Sequence, residues 1–296
     1  MSRLSQGDKV RVGVGIAAIA LILMIAASGW SGLFTRWFPV IQIGGFSIGS
    51  KPVSLEAPID RSESFAASEV DDLDIDWKCG SIRLVAGDGD QIRVIERVAA
   101  GDYEMDPRNA TFTQEGKTLK IDDGLPDSGG TYPHMELVVE APCDDALMFG
   151  NVDIESVSST IDVERVVSED LSVASVSSNI TLDGIRAQDV SIGGVSGPVE
   201  VSGEVSEELD VSTMSGGAYL TLTEGAPSEI SVSTVSGAIE LDVPDGLGFT
   251  LAADTVSGGL STPFELNTVD EDGSYVIGDG ACDIDLGSVS GRIHIA

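Results

Sequence analysis

Gly45-Phe46-Ser47-Ile48-Gly49 has the G-x-S-x-G spacing in which a serine, held on a tight turn between a strand and a helix, acts as a nucleophile. A serine needs a general base for that work. The chain has two histidines, His134 and His294, and neither is close in sequence to this or another candidate nucleophile. The pentapeptide lies in a proline- and glycine-bearing stretch rather than between a strand and a helix, so it reads as linker. Gly13-Val14-Gly15 falls inside a long apolar run and cannot open a dinucleotide loop, which must follow a strand and start a helix. These motifs assign no catalytic residue and no cofactor.

Carboxylates are more plentiful. They concentrate in Asp71-Asp72-Leu73-Asp74-Ile75-Asp76, Asp88-Gly89-Asp90, Asp270-Glu271-Asp272-Gly273 and Asp279 to Asp285. Calcium is the metal such clusters would suit, but none has the loop order of an EF-hand or of a nonapeptide calcium repeat, and solvated acidic faces are the alternative. An acid-pair glycoside hydrolase is a distant further reading. Cys79, Cys143 and Cys282 leave open one disulfide with a free thiol, or small buried side chains.

The elements that would position these groups are written in a repeat. Seven copies are centred on Ser159, Ser178, Gly197, Gly216, Gly237, Gly258 and Gly291, spaced by 19, 19, 19, 21, 21 and 33 residues. Seven before each centre stand Val152, Leu171, Val190, Leu209, Ile230, Leu251 and Ile284. Apolar columns also lie five before, two after and four after, with polar residues between. Alternation at a spacing of two means two short strands per copy, each burying one face. One copy cannot close a core. Stacking neighbours at ~4.8 Å sets like above like, so the expected fold is all-β, a β-solenoid. The widening gaps predict insertions between successive coils.

Immediately before the centres come Ser158, Ser177, Ser196, Ser215, Ser236, Ser257 and Ser290. With no base beside them they are read as corner residues whose hydroxyls satisfy backbone groups. Thr181, Glu200, Tyr219 and Glu240 share an outward column and form a possible binding face.

The chain carries 49 Asp and Glu against 16 Lys and Arg, a net charge of −33. Past Lys120 the basic side chains are Arg165, Arg186 and Arg292. Such a surface repels phosphate backbones, which excludes nucleic acid as a partner. Arg3, Lys9 and Arg11 precede an apolar run extending to Phe34, so residues 1–11 are expected as a cytoplasmic tail and 12–34 as one transmembrane helix, with the C-terminal region extracytoplasmic. A cleaved signal peptide, with secretion, is the rival. Residues 35–64 are expected as a membrane-proximal stalk, and 65–296 as the repeat domain, with 65–145 a capping half and 146–296 the regular repeats.

The run LDIDWKCGSIRLVAGDGDQIRV, the later VSG repeats and the closing SVSGRIHI resemble DUF4097, a bacterial family of β-strand-repeat proteins regarded as candidate adhesins. The resemblance covers about Phe65 to Ala296 and implies a surface scaffold, often held by one transmembrane helix. Some members are similar to components of envelope-stress systems. No ligand-binding or catalytic residue is implied.

Three functions are therefore weighed. The first is a non-catalytic, membrane-anchored scaffold that binds cell-surface or envelope molecules: a glycan, a cationic peptide or a protein. The second is an envelope-stress sensor working with a membrane partner, and the third a carbohydrate-active enzyme.

Overall fold

A computed structural model describes residues 53–296 apart from 104–105, 126–132, 143–148, 226 and 267–273. The expected tail, transmembrane segment and first part of the stalk lie outside these residues, as do the Gly45–Gly49 motif and Cys143. Among the described residues no helix is long and apolar enough to cross a membrane.

The body is all-β, and its strands run in two parallel ladders. In one, Thr118–Asp122, Asp72–Asp76, Phe149–Ser156, Val167–Ser177, Ile180–Ser196, Val199–Ser215, Glu229–Thr234, Cys282–Ser288 and Phe249–Thr255 follow in spatial order. In the other the order is Met135–Pro142, Cys79–Gly87, Ser158–Glu164, Ile180–Ser196, Val199–Ser215, Ala218–Glu224, Ile239–Asp242, Ile293–Ile295 and Leu260–Ser261. The long strands Ile180–Ser196 and Val199–Ser215 each supply the second leg of one coil and the first leg of the next.

Like residues lie above like. Leu73, Val152, Leu171, Val190, Leu209, Ile230, Ile284 and Leu251 are register partners in turn. Each is buried. The columns of Ile154, Ile161 and Val163 continue the core in the same way, because alternation sends every second side chain inward.

Spatial order departs from sequence order at both ends. The last coil of the chain, Cys282 to Ile295, inserts between the Gly237 coil and the Gly258 coil, so the 33-residue gap is not a simple insertion between successive coils. The outermost coil is therefore the Gly258 one. At the other end, Thr118–Asp122 and Met135–Pro142 form a coil outside that of Asp72–Asp76 and Cys79–Gly87, although they come later in the chain.

Antiparallel strands cover the N-terminal end and part of the Gly258 coil. Gln91–Val98 pairs with both Ile59–Ala66 and Met135–Pro142, Thr111–Glu115 pairs with Thr118–Asp122, and Tyr275–Ile277 pairs with the start of Phe249–Thr255. Occupied edges do not recruit stray strands. Ile59 to Ser64 thus belongs to the sheet, upstream of the boundary expected at 65. Arg61 keeps the half-buried phase of this strand: its guanidinium pairs with buried Glu96, donates to the Ala110 carbonyl at 2.5 Å and lies 4.6 Å from the Phe112 ring centre.

The corner glycines answer to contact between coils. A Cβ on Gly216 would lie 1.9 Å from the Gly197 carbonyl oxygen, and one on Gly237 would lie 2.0 Å from that of Gly216. No side chain fits at such separations. Of the corner serines, Ser158 donates its hydroxyl to the Lys78 carbonyl at 3.5 Å, as a corner residue satisfying a backbone group would. All seven, Ser158, Ser177, Ser196, Ser215, Ser236, Ser257 and Ser290, are exposed, because they fall in the outward phase of the alternation. Their backbone N–H groups bond across to the neighbouring coil, as from Ser236 to Met214 and from Ser290 to Val235. Inward hydroxyls stand three before most centres, and at the centres Ser159 and Ser178 themselves. Ser156 Oγ accepts from Ser159 N–H at 3.1 Å, and Thr234 Oγ1 donates to the Gly216 carbonyl at 3.3 Å.

Candidate functional site

The second-leg ladder sets Asp162, Thr181, Glu200, Tyr219, Glu240 and His294 side by side on its outer face. The four residues read from the sequence as a possible binding face are therefore adjacent in space. Thr181 is half-buried, while Glu200, Tyr219 and Glu240 are exposed. A parallel column two residues on contains Glu164, Asp183, Ser202 and Thr221.

Between these columns lies an open groove of about 460 Å³, lined by Asp162, Glu164, Thr181, Asp183, Glu200, Ser202, Tyr219 and Thr221 over a floor of Val163, Leu182 and Val201. The chain bends sharply along its edge. Arg165, Gly184 and Gly203 have φ of 54°, 62° and 146°, and the ladder shifts register between Leu182 and Ile185. Left-handed backbone of this kind turns the following segment away from the face, and glycine adopts it without a Cβ clash. Ser202 Oγ bridges the bend, accepting from Gly184 N–H at 3.1 Å and donating to Asp183 Oδ1 at 2.6 Å.

Charge in the groove is one-sided. Its lining holds four carboxylates and no basic side chain. Arg83 stands near the rim with Nη2 3.9 Å from Glu164 Oε1, a long and exposed pairing. Tyr219 adds an exposed ring, a flat surface for a sugar or a cation.

A second acidic feature escaped the sequence reading. On the first-leg ladder Asp170, Asp189, Glu208, Glu229 and Asp283 are consecutive register partners. Like charges directly opposite destabilise a sheet. Burial, together with Glu208, raises the pKa of neighbouring Asp210, and burial, together with Asp254 and Glu229, raises that of Asp285. This stripe occupies a fixed offset, eight before the centre, and reading that column would have exposed it.

A third group sits near the N-terminal end, where Asp74, Asp76, Asp122, Asp153 and Glu155 surround about 340 Å³ with Lys120. Burial and then Asp74 raise the Asp153 pKa. Among the described residues no three His, Cys, Asp or Glu side chains converge as a metal ion requires.

The remaining sequence candidates are dispersed. His134 is exposed, and His294 Nδ1 lies 3.0 Å from the Ser261 carbonyl. Cys79 and Cys282 are free thiols, Cys79 partly exposed at the serine position beside Ser158. Cys282 is buried, and burial, with Asp283 and Glu229, pushes its thiol up to about 11.

The model of the Toastrack DUF4097 family matches residues 70–230. No curated protein matches the chain. Among solved structures it is similar to a candidate adhesin from Parabacteroides distasonis, with 10% identity and a TM-score of 0.44 over 80% of this chain and 97% of that one. It is similar also to one from Bacteroides fragilis, with 12% identity and a TM-score of 0.42 over 85% of this chain and 100% of that one. A candidate cell adhesion protein from Clostridium sporogenes gives 11% and 0.37 over 80% and 98%.

Proposed function

Since the chain belongs to the Toastrack DUF4097 family, we propose that it is a non-catalytic binding scaffold of the cell surface, a β-solenoid anchored by residues 12–34 with its acidic faces outside. Its partners are envelope molecules that bring positive charge or hydroxyl groups: a cationic peptide, a basic patch on a protein, or a glycan. The observation that carries this reading is the groove itself, where Asp162, Glu164, Asp183 and Glu200 stand beside Tyr219 and no lysine or arginine lines the wall. An excess of carboxylates with no basic side chain in the lining attracts cations over several ångströms, and an exposed ring in the same column rewards close contact.

A hydrolase would need an acid held protonated opposite a second carboxylate across a bound sugar. The carboxylates of the groove sit instead in neighbouring layers of one flat ladder, an arrangement that favours binding over turnover. The test is retention of cationic peptides and cell-wall glycans by the immobilised protein, beside an assay for released reducing ends. Retention that weakens with salt, without reducing ends, is the expected result. Reducing ends abolished by one carboxylate substitution would overturn the non-catalytic reading.

A further inference from the structure

Lys78 lies at the corner between Asp72–Asp76 and Cys79–Gly87, and only 2% of it is exposed. Its Nζ is 3.2 Å from Oδ1 of fully buried Asp123 and 3.4 Å from Oδ1 of Asp76, whose side chain is 21% exposed. Backbone groups fix the acceptor. Lys78 N–H donates to Asp123 Oδ2 at 2.6 Å and Leu125 N–H to Asp123 Oδ1 at 2.8 Å. Buried Trp77 is adjacent, its indole N–H donating to the Met135 carbonyl at 3.2 Å. Asp76 also lines the acidic group around Lys120, whereas Lys78 and Asp123 belong to none of the acidic faces.

We propose that Lys78 and Asp123 condense into an intramolecular isopeptide bond between Nζ and Cγ, with Asp76 relaying protons. The ammonium and the carboxylate together contain everything the reaction consumes. Asp76 Oδ1 takes one proton from Nζ, and the freed amine attacks Asp123 Cγ. The C–O bond to one Asp123 oxygen then breaks. That oxygen leaves as water with two of the three ammonium protons, one of them returned by Asp76, and Nζ keeps the third in a neutral amide. No oxidant, reductant or cofactor is needed.

Two physical effects favour this reaction here and not in solution. Hydration stabilises the separate ions in water, whereas in the interior they lose that hydration and the neutral amide relieves the cost. Fixed geometry also raises the effective concentration of one group at the other, to ~10⁵–10⁸ M in well-oriented intramolecular reactions. Burial raises the Asp123 pKa, which eases protonation of the leaving oxygen. Burial lowers that of Lys78, but the Asp123 and Asp76 carboxylates more than offset it, so the ammonium holds its proton and the step needs Asp76 beside it as the base. The bond would tie the corner after Asp72–Asp76 to the chain just past Thr118–Asp122, locking together two coils that the capping strands separate in sequence.

The test is the mass of the intact, denatured full-length chain, with tandem mass spectrometry of its peptides. The expected mass is one water below that of the sequence, with a peptide containing Lys78 joined to one containing Asp123. Lys78→Arg, which keeps the ion pair, should restore the full mass, and Asp76→Asn should slow linkage after folding. A wild-type chain at full sequence mass would overturn the proposal, as would a one-water deficit without a joined peptide, the signature of a cyclised aspartate. Linkage at an unchanged rate in Asp76→Asn would remove Asp76 from the reaction.

Discussion

Gly291 packs directly on Gly237: a Cβ on Gly291 would lie 1.8 Å from the Gly237 carbonyl oxygen, although Gly258 intervenes in sequence. Gly258 in turn packs on Gly291, where its own Cβ would lie 1.8 Å from the Gly291 carbonyl oxygen. The last coil of the chain is thus an interior layer, and the coil before it forms the outer one.

That order is open to a crosslinking test. With the native cysteines replaced by serine, cysteines at Glu240 and His294, which are register partners, should be joined by a short thiol crosslinker. Cysteines at Glu240 and Ser261 should not, because the His294 layer separates them. Crosslinking confined to the second pair would restore the sequential order.

Inward and outward substitutions should separate cleanly. Val199→Asp or Leu241→Asp buries a carboxylate at a position that is at most 1% exposed and should cost ~3 kcal/mol or more. Glu200→Ala and Glu240→Ala, both on the exposed face, should change stability by less than ~0.5 kcal/mol. Thermal or denaturant unfolding reads both.

The core columns were legible because alternation and a fixed offset repeat at every centre, and stacking turns that offset into contact. Coil order was not, because spacing orders copies along the chain and not in space. One trace of it was present. The Gly258 copy carries Ala253 and Thr262 where the Gly291 copy carries Leu286 and Ile295, as suits a coil with a neighbour on one side only. Of the candidate site, the column Thr181, Glu200, Tyr219 and Glu240 was readable. The groove was not, since it depends on the bend at Arg165, Gly184 and Gly203. The corner serines share the expected hydrogen bonding with the buried column two residues earlier: Ser158 Oγ donates to the Lys78 carbonyl at 3.5 Å, and Thr234 Oγ1 to that of Gly216.

The stripe of Asp170, Asp189, Glu208, Glu229 and Asp283 should make the fold more stable in salt. Screening weakens repulsion between carboxylates one layer apart, so the melting temperature should rise between about 0.05 and 0.5 M salt. Glu208→Gln should raise it at low salt and reduce the response. A melting temperature that falls with salt would show that the stripe is not under repulsion.

Acid should stabilise the fold before it denatures it. Burial raises the folded-state pKa of Asp153, Asp210, Asp285 and Glu96 above their ordinary values. In the window between those ordinary values and the raised ones the native state binds more protons than the unfolded chain, so stability falls as pH rises through it. Asp106, which a hydrogen bond from Arg108 holds low, acts in the opposite sense. The melting temperature should fall as pH rises from just above the ordinary carboxylate range towards neutrality, and thermal scans across that range check it.

The most direct measurement is an equilibrium titration of a soluble cationic peptide against the protein and against Asp162→Asn/Glu200→Gln, two residues that line the groove. The account predicts binding by the wild type at about 0.05 M salt, a substantial loss at about 0.5 M, and weaker binding with a shallower salt dependence in the double variant. Equal affinity in the two proteins with the same salt dependence would contradict it and take the binding face away from the groove.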